Sequence, residues 1–155
     1  MIVLRPMLVE DVPGVMEIEE VVAEAPWTAS IFSDCVKVGY SCWVFADDET
    51  NEVLGYGLLS AGAGEAHILN LCIKPRVQHQ GYGYRMMQHL IQTAKAMHVN
   101  SVYLEVRVSN YRAIELYKKL QFIHTGERKE YYPPSPTTGI REDAMVFTMV
   151  FDPTL

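Results

Sequence analysis

The spacing of apolar positions changes several times along the chain, and each change marks an element. Ile2 to Pro6 reads as an opening strand. From Val9 to Glu24 the apolar residues Val12, Val15, Met16, Ile18 and Val21 approximate helical spacing, and Glu10 and Asp11 lie where a helix start favours acids. The turn Pro26-Trp27-Thr28 leads into a second short helix, capped by Thr28 or Ser30, with Phe32, Cys35 and Val36 inward and Gly39 at its end. Tyr40 to Asp47 and Val53 to Ala61, separated by the polar turn Asp48 to Glu52, read as an antiparallel hairpin, and Glu65 to Ile73 as a further strand.

The period then lengthens. Met87, Leu90, Ile91 and Ala94 place a helix over about Gly83 to Met97, packed by one face on a sheet. Ser101 to Val106 alternates, with Val102, Leu104 and Val106 on one face and Tyr103 and Glu105 on the other. Asn110 to Leu120 is a second amphipathic helix, with Asn110 as its cap. Phe122 to Tyr131 and Asp143 to Phe151 close the chain as strands, joined by a turn-rich loop, Pro133 to Gly139. The order β-α-α-β-β-β-α-β-α-β-β predicts an α+β or α/β domain with a mixed central sheet.

Length and charge narrow the possibilities. A chain of 155 residues, 49% hydrophobic and 21% charged and without repeats or linkers, fits one domain over 1–155. The longest nearly apolar run, Ala144 to Phe151, is far below the roughly 20 residues that span a bilayer, and no signal-peptide pattern opens the chain. A cytoplasmic protein without a membrane partner is expected. Cys35, Cys42 and Cys72 form no Cys-x-x-Cys pair, and the five histidines show no ligand spacing, so neither a disulfide framework nor a metal is expected.

The formal charge is −6, from 13 Lys and Arg against 19 Asp and Glu, which disfavours a nucleic-acid partner. The distribution says more than the total. Ala66 to Leu104 holds no acid, while Lys74, Arg76, Arg85 and Lys95 give it +4, leaving −10 for the rest. This pattern fits a local anion site in a protein that favours a basic partner, or equally a solvated basic face.

The acid-free stretch contains Gln78-His79-Gln80-Gly81-Tyr82-Gly83 between a strand and a helix. Such a turn converges backbone N–H groups on an anion and adds the helix dipole, and Arg76 and Arg85 flank it. A plain tight turn is the simpler account of two glycines. A dinucleotide fingerprint would need glycine where Met86 stands, and a P-loop would need Gly-Lys-Ser or Gly-Lys-Thr, which is absent.

The remaining pattern, Gln-x-x-Gly-x-Gly, resembles the loop of the GCN5-related N-acetyltransferase (GNAT) superfamily, which holds the pyrophosphate of acetyl-coenzyme A (acetyl-CoA). Further stretches are similar to its RimI-type branch, the ribosomal-protein-alanine N-acetyltransferases. They are Pro26-Trp27, Asn70 to Pro75, Leu104 to Asn110, Ala113 to Tyr117, Tyr131-Tyr132-Pro133 and Arg141 to Ala144. The resemblance implies a central mixed sheet of about seven strands flanked by four helices. It also implies acetyl transfer from acetyl-CoA to the N-terminal alanine of small-subunit ribosomal protein eighteen, a basic acceptor. Tyr84, where a basic residue is common, and the long segment Pro133 to Ile140 depart from that pattern.

By the same resemblance Glu105 is the base and Tyr117 the acid. The donor contacts are Leu71, Cys72 and Ile73 through their backbone, Gln78, His79, Gln80, Gly81, Tyr82, Gly83 and Tyr84 in the loop, and Asn110. Read from the residues alone, Glu105 is a solvent-facing glutamate on an edge strand or a carboxylate whose apolar neighbours raise its pKa. Tyr117 is a core tyrosine or a proton donor, and Asn110 a helix cap as well as a contact. Cys72 is rejected as a nucleophile, since direct transfer needs no acyl-enzyme. Trp27, Tyr131 and Tyr132 form either an aromatic wall for the acceptor or ordinary packing.

The chemistry favours an α-amine. At pH 7 roughly a tenth of an amine of pKa near 8 is neutral, against about 0.04% of a lysine. Transfer to a lysine, polyamine or other small amine is the alternative, and a non-catalytic acyl-CoA sensor a second. The sequence leaves the oligomeric state open.

Overall fold

The structure, a computed structural model, describes residues 1–151; the rest of the expected domain, 152–155, lies outside the described residues. Seven strands form one mixed sheet in the order β1-β2-β3-β4-β5-β7-β6. They are β1 Ile2–Pro6, β2 Ser41–Asp47, β3 Val53–Gly62, β4 Glu65–Ile73, β5 Ser101–Arg107, β6 Ile123–Tyr132 and β7 Glu142–Val150. The α-helices are α1 Val12–Val22, α2 Ala29–Lys37, α3 Tyr82–Ala96 and α4 Tyr111–Lys119. This is the architecture expected from the sequence, and its element order is also as expected.

The differences lie at element ends and have local causes. The helix expected over Val9 to Glu24 begins as a 3-10 turn, Val9–Asp11, and becomes α-helical only from Val12, with Pro13 in the first turn. Asp11 explains the tight start. Its carboxylate takes two 2.8 Å bonds from the Arg5 guanidinium and a third, also 2.8 Å, from the Leu8 N–H, so it is a buried anchor of β1 rather than an exposed dipole partner. Burial pushes the Asp11 carboxyl up, but Arg5 and Leu8 together outweigh it and hold its pKa below the usual value. At α2 the cap is Thr28, whose hydroxyl accepts the Ile31 N–H at 3.3 Å.

Helices cover both faces of the sheet. Val12, Val15 and Ile18 of α1 and Phe32 and Cys35 of α2 pack with Val44, Tyr56 and Leu58 in one cluster. Met86, Met87, Leu90, Ile91 and Ala94 of α3 and Ile114 of α4 pack with Leu59, Ile68, Leu104 and Phe147 in the other. At Gly57 a Cβ would stand 2.8 Å from Met86 Cγ and 3.1 Å from Leu90 Cδ1, so the absent side chain sets how closely α3 lies on β3.

The sheet is not continuous through its middle. β4 and β5 run parallel and pair only from Glu65↔Ser101 to His67↔Tyr103. β4 stays paired with β3 out to Gly55↔Ile73, and β5 with β7 out to Arg107↔Ala144. Beyond His67 the two strands therefore part, each held by its other neighbour.

One buried pair generates a pH prediction. His89 on α3 meets the Trp43 ring edge-on at 4.2 Å, and His89 Nε2 and Trp43 Nε1 are both buried without a hydrogen-bond partner among the described residues. Burial lowers the His89 pKa, so the folded state holds the neutral ring. An unfolded imidazole titrates at about 6.5, and between that value and the depressed folded one only the unfolded chain takes up the proton. The pair's stability is thus full above about pH 6.5 and falls as the pH drops through that window. In urea melts at pH 5 to 8, His89→Phe is expected to flatten this part of the profile; an unchanged slope contradicts the assignment.

Candidate active site

The parting of β4 and β5 opens a cleft of about 890 Å³. β4 contributes His67 and Leu69 to Cys72, β5 contributes Leu104 to Arg107, and α4 and its cap contribute Tyr117 and Asn110. The α1–α2 connection adds Glu24 and Trp27, and the end of β6 adds Tyr131 and Tyr132. The sequence candidates Glu105, Tyr117, Asn110, Leu71, Cys72, Trp27, Tyr131 and Tyr132 thus share one cavity.

Strand geometry decides which backbone groups face that cavity. Lys74 N–H donates to Leu54 O at 2.9 Å, so Lys74 and Leu54 form a hydrogen-bonded pair of the β3–β4 ladder. Stepping by two along an antiparallel ladder, Cys72 and Asn70 also bond towards β3, while the N–H and C=O groups of Ile73 and Leu71 point the other way, into the gap. Of the backbone groups expected to meet the donor, those of Leu71 and the Ile73 N–H are open to it, and those of Cys72 are engaged with Tyr56. The Ile73 carbonyl accepts the Gln78 side-chain amide at 2.9 Å, which ties the loop to the end of β4.

Glu105 lies neither on an edge strand nor among apolar groups, and both expectations are corrected. β5 is an interior strand, and the Glu105 carboxylate, 7% exposed, is held from two sides. His67 Nε2 lies 2.5 Å from Oε1 and Arg128 Nε 3.4 Å from Oε2. Tyr117 is half-buried, and loss of hydration pushes its phenol up to about 12, so it stays protonated across the physiological range. Burial likewise pushes the Cys72 thiol up to about 11, which leaves almost no thiolate at neutral pH and accords with its rejection as a nucleophile.

The loop Gln78 to Tyr84 lies past the end of β4 and does not line the cleft. His79 and Gly81 adopt left-handed conformations, φ 63° and 87°, and Gly81 is the N-cap of α3. A Cβ at Gly81 would meet nothing within 4 Å, so its glycine serves the backbone turn rather than close packing. Gln80 is exposed, Tyr82 turns inward onto Phe45 at 5.1 Å, and Gly83 packs near Leu116. Lys119 Nζ stands 5.5 Å from the centre of the Tyr84 ring, bringing a cation close to the end of the loop.

The cations expected to flank the loop are engaged elsewhere. Arg76 and Lys74 both bond the Glu52 carboxylate, at 2.8 and 2.7 Å, and Arg85 lies over the Phe45 and Tyr82 rings. The guanidinium at the loop is that of Arg112, 2.7 Å from His79 Nε2. Asn110 caps α4 through the Ala113 N–H at 3.3 Å. At the other end of the cleft Tyr131 and Tyr132 meet edge-on at 5.1 Å, and Arg107 covers Tyr132 at 4.4 Å.

Three groups in or near the cleft were not singled out from sequence: His67, Arg128 and Glu19. Glu19, on α1, is 2% exposed. It accepts from the Tyr56 hydroxyl at 2.7 Å, the Asn70 amide at 3.2 Å and the Trp27 N–H at 2.9 Å. Burial first, with Cys72 and Glu19 adding to it, raises the Tyr56 pKa far above its usual value, so the phenol remains a donor. Among the described residues no group of three or more His, Cys, Asp or Glu is placed to hold a metal ion, and no helix is long and apolar enough to cross a membrane.

Known proteins resemble this chain in sequence and fold. Residues 10–122 match the family described as Acetyltransferase (GNAT) family. The chain is 31% identical over 139 residues to the [ribosomal protein bS18]-alanine N-acetyltransferase of Escherichia coli (strain K12), covering 90% of each. It is 27% identical over 146 residues to the protein of that name from Haemophilus ducreyi, covering 94% of this chain and 98% of the relative. The crystal structure of the ribosomal-protein-S18-alanine N-acetyltransferase from Escherichia coli aligns with a TM-score of 0.86 at 26% identity, over 100% of this chain and 99% of that one.

The buried carboxylate yields the prediction for this region. Glu19→Ala leaves three donors without their acceptor, two of them on the cleft wall, and is expected to cost about 3 kcal/mol. Urea denaturation measures the loss; wild-type stability in the variant contradicts the role given to Glu19.

Proposed function

This chain belongs to the acetyltransferase (GNAT) family, and we propose that it moves acetyl from acetyl-CoA to the α-amine of the N-terminal alanine of ribosomal protein bS18, directly within a ternary complex. The acceptor follows the names of its relatives, and the cleft provides the observation that supports the reaction. A carboxylate, Glu105, and a protonated phenol, Tyr117, line one cavity that is open beside a strand with free backbone groups. The reading also places the protein in the cytoplasm, with its ribosomal acceptor.

The residues present fit the donor. Leu71 and Ile73 supply main-chain groups in the gap, to which an extended arm adds as a strand would. An N–H of this segment is the donor to a thioester oxygen that gains charge during attack. The turn Gln78 to Gly83, with Gly81 left-handed at the start of α3, presents N–H groups and a helix N-terminus to phosphate. When bound there, acetyl-CoA supplies the activated acyl group. The Glu105 carboxylate favours a neutral amine by drawing off its proton, and the Tyr117 hydroxyl gives a proton to the leaving sulfur.

The acceptor end fits a basic peptide. Glu24 and Glu105 bring negative charge to a cleft that also holds Arg107, and Trp27, Tyr131 and Tyr132 line it with aromatic surface. A neutral α-amine is also available at pH 7 far more often than a neutral lysine.

Two peptides beginning with the acceptor's alanine, one with a free and one with a blocked α-amine, separate the readings by mass. Acetylation of the free-amine peptide alone is expected. Glu105→Gln and Tyr117→Phe are each expected to lower kcat by about 10² while CoA affinity is kept; wild-type rates in both remove this mechanism. Transfer only to lysine or polyamines favours a small-amine acetyltransferase, and tight CoA binding without transfer to any amine favours a sensor. Gly81→Val, which forces a β-branched residue into the left-handed region, is expected to weaken CoA binding about tenfold without unfolding the chain. Isothermal titration checks this, and unchanged affinity contradicts the loop assignment.

A further inference from the structure

Glu105 has little free capacity to act alone. One oxygen is taken by His67 and the other faces Arg128. As a class, an imidazole is a closer match than a carboxylate for the proton of an α-ammonium.

His67 is placed to provide that imidazole. It occupies the last β4–β5 pair before the strands part, opposite Tyr103, and its ring stacks on the Tyr103 ring at 4.3 Å with 9° between planes. Its side chain is 23% exposed and lines the cleft. Nε2 is engaged by Glu105, and Nδ1 has no hydrogen-bond partner among the described residues. With Nε2 engaged by the carboxylate, Nδ1 is the ring nitrogen left to exchange a proton with another molecule. This is the orientation in which a carboxylate holds a histidine base.

We propose that His67, oriented by Glu105, is the group on which the acceptor's ammonium proton comes to rest. The inference rests on the acetyl-transfer reading and reassigns the proton within it. The ammonium N–H bond breaks and the proton binds Nδ1, directly or through one water, while Nε2–H stays on Glu105 Oε1. The freed nitrogen lone pair forms the bond to the acetyl carbon, and Tyr117 protonates the sulfur as the carbon–sulfur bond breaks. The second nitrogen proton, shed as the amide forms, replaces the one Tyr117 gave, and the imidazolium releases its proton to solvent. One proton is produced per acetyl transferred. The charged and titratable groups around the His67–Glu105 pair are Tyr103 from β5, Arg128, Tyr131 and Tyr132 from β6, and Glu65 on β4 itself.

The test compares wild type, His67→Gln, His67→Ala and Glu105→Gln on the free-amine alanine peptide over pH 5.5 to 8.5, with CoA affinity measured beside each. Glutamine keeps an N–H for Glu105 but takes no proton, so His67→Gln is expected to lose about 10² in kcat/KM with CoA affinity kept. Added imidazole is expected to restore activity to His67→Ala, which a merely structural role would not produce. A His67→Gln enzyme within twofold of wild type at every pH overturns the proposal, as does failure of imidazole rescue. Nitrogen-15 spectra of the histidine rings test it without turnover. The His67 ring is expected to carry hydrogen on Nε2 and a bare Nδ1 at pH 8, and to lose that preference in Glu105→Gln. Hydrogen on Nδ1 overturns the inference. A wild type that binds CoA and acetylates nothing overturns the acetyl-transfer reading instead.

Discussion

The chain's function depends on a sheet that stops pairing. Between β4 and β5 the ladder covers only Glu65 to His67 on one strand and Ser101 to Tyr103 on the other. Each strand continues with its outer neighbour, so the gap is maintained by hydrogen bonds on both sides. An unpaired strand edge in the middle of a sheet is normally a liability, because its N–H and C=O groups seek a partner. Here that unmet demand falls on Leu71, which lines a cavity that also holds Glu105 and Tyr117, and on the neighbouring Ile73 N–H. Pairing that ran on through Leu71 would leave neither a cleft nor a vacant edge.

The buried carboxylates keep that opening in order. Asp11 locks the start of α1 to β1 through Arg5, and Glu19, farther along α1, gathers Tyr56 of β3, Asn70 of β4 and the Trp27 backbone. Burying an anion is tolerated only where hydrogen bonds replace its water, and each of these has such bonds. Glu105 differs from them in facing the cavity, with one partner, His67, on β4 across the gap and the other, Arg128, on the outer strand β6. The first two carboxylates are satisfied from within the fold, while Glu105 is satisfied beside a space that another molecule can enter.

Much of this was legible in the chain. Alternation along Ser101 to Val106 and the helical spacing of Met87, Leu90, Ile91 and Ala94 identified β5 and α3 because both elements bury one face. The glycines of the Gln78 to Gly83 turn are a local signal, since Gly81 needs its left-handed backbone whatever surrounds it. Pairings set by register were less legible. His67 reaches Glu105 only because β4 and β5 align His67 with Tyr103, one side-chain step away on the same face, and that parallel alignment depends on how α3 crosses over. Glu19 looks like one of several acids on a polar stretch of helix, and its burial follows from where α1 lands on the sheet. The partners of Arg76 and Arg85 were illegible for a related reason: a count of charges along the chain cannot show that one pairs with Glu52 and the other lies over two aromatic rings.

Amide hydrogen exchange with and without CoA tests the central claim, that the parted edge of β4 is where the donor lies, most directly. The account predicts that bound CoA slows exchange at Leu71 and Ile73, whose N–H groups face the gap, and leaves Asn70 and Cys72, already bonded to β3, nearly unchanged. CoA binding that leaves Leu71 and Ile73 exchanging at their free rates would contradict it.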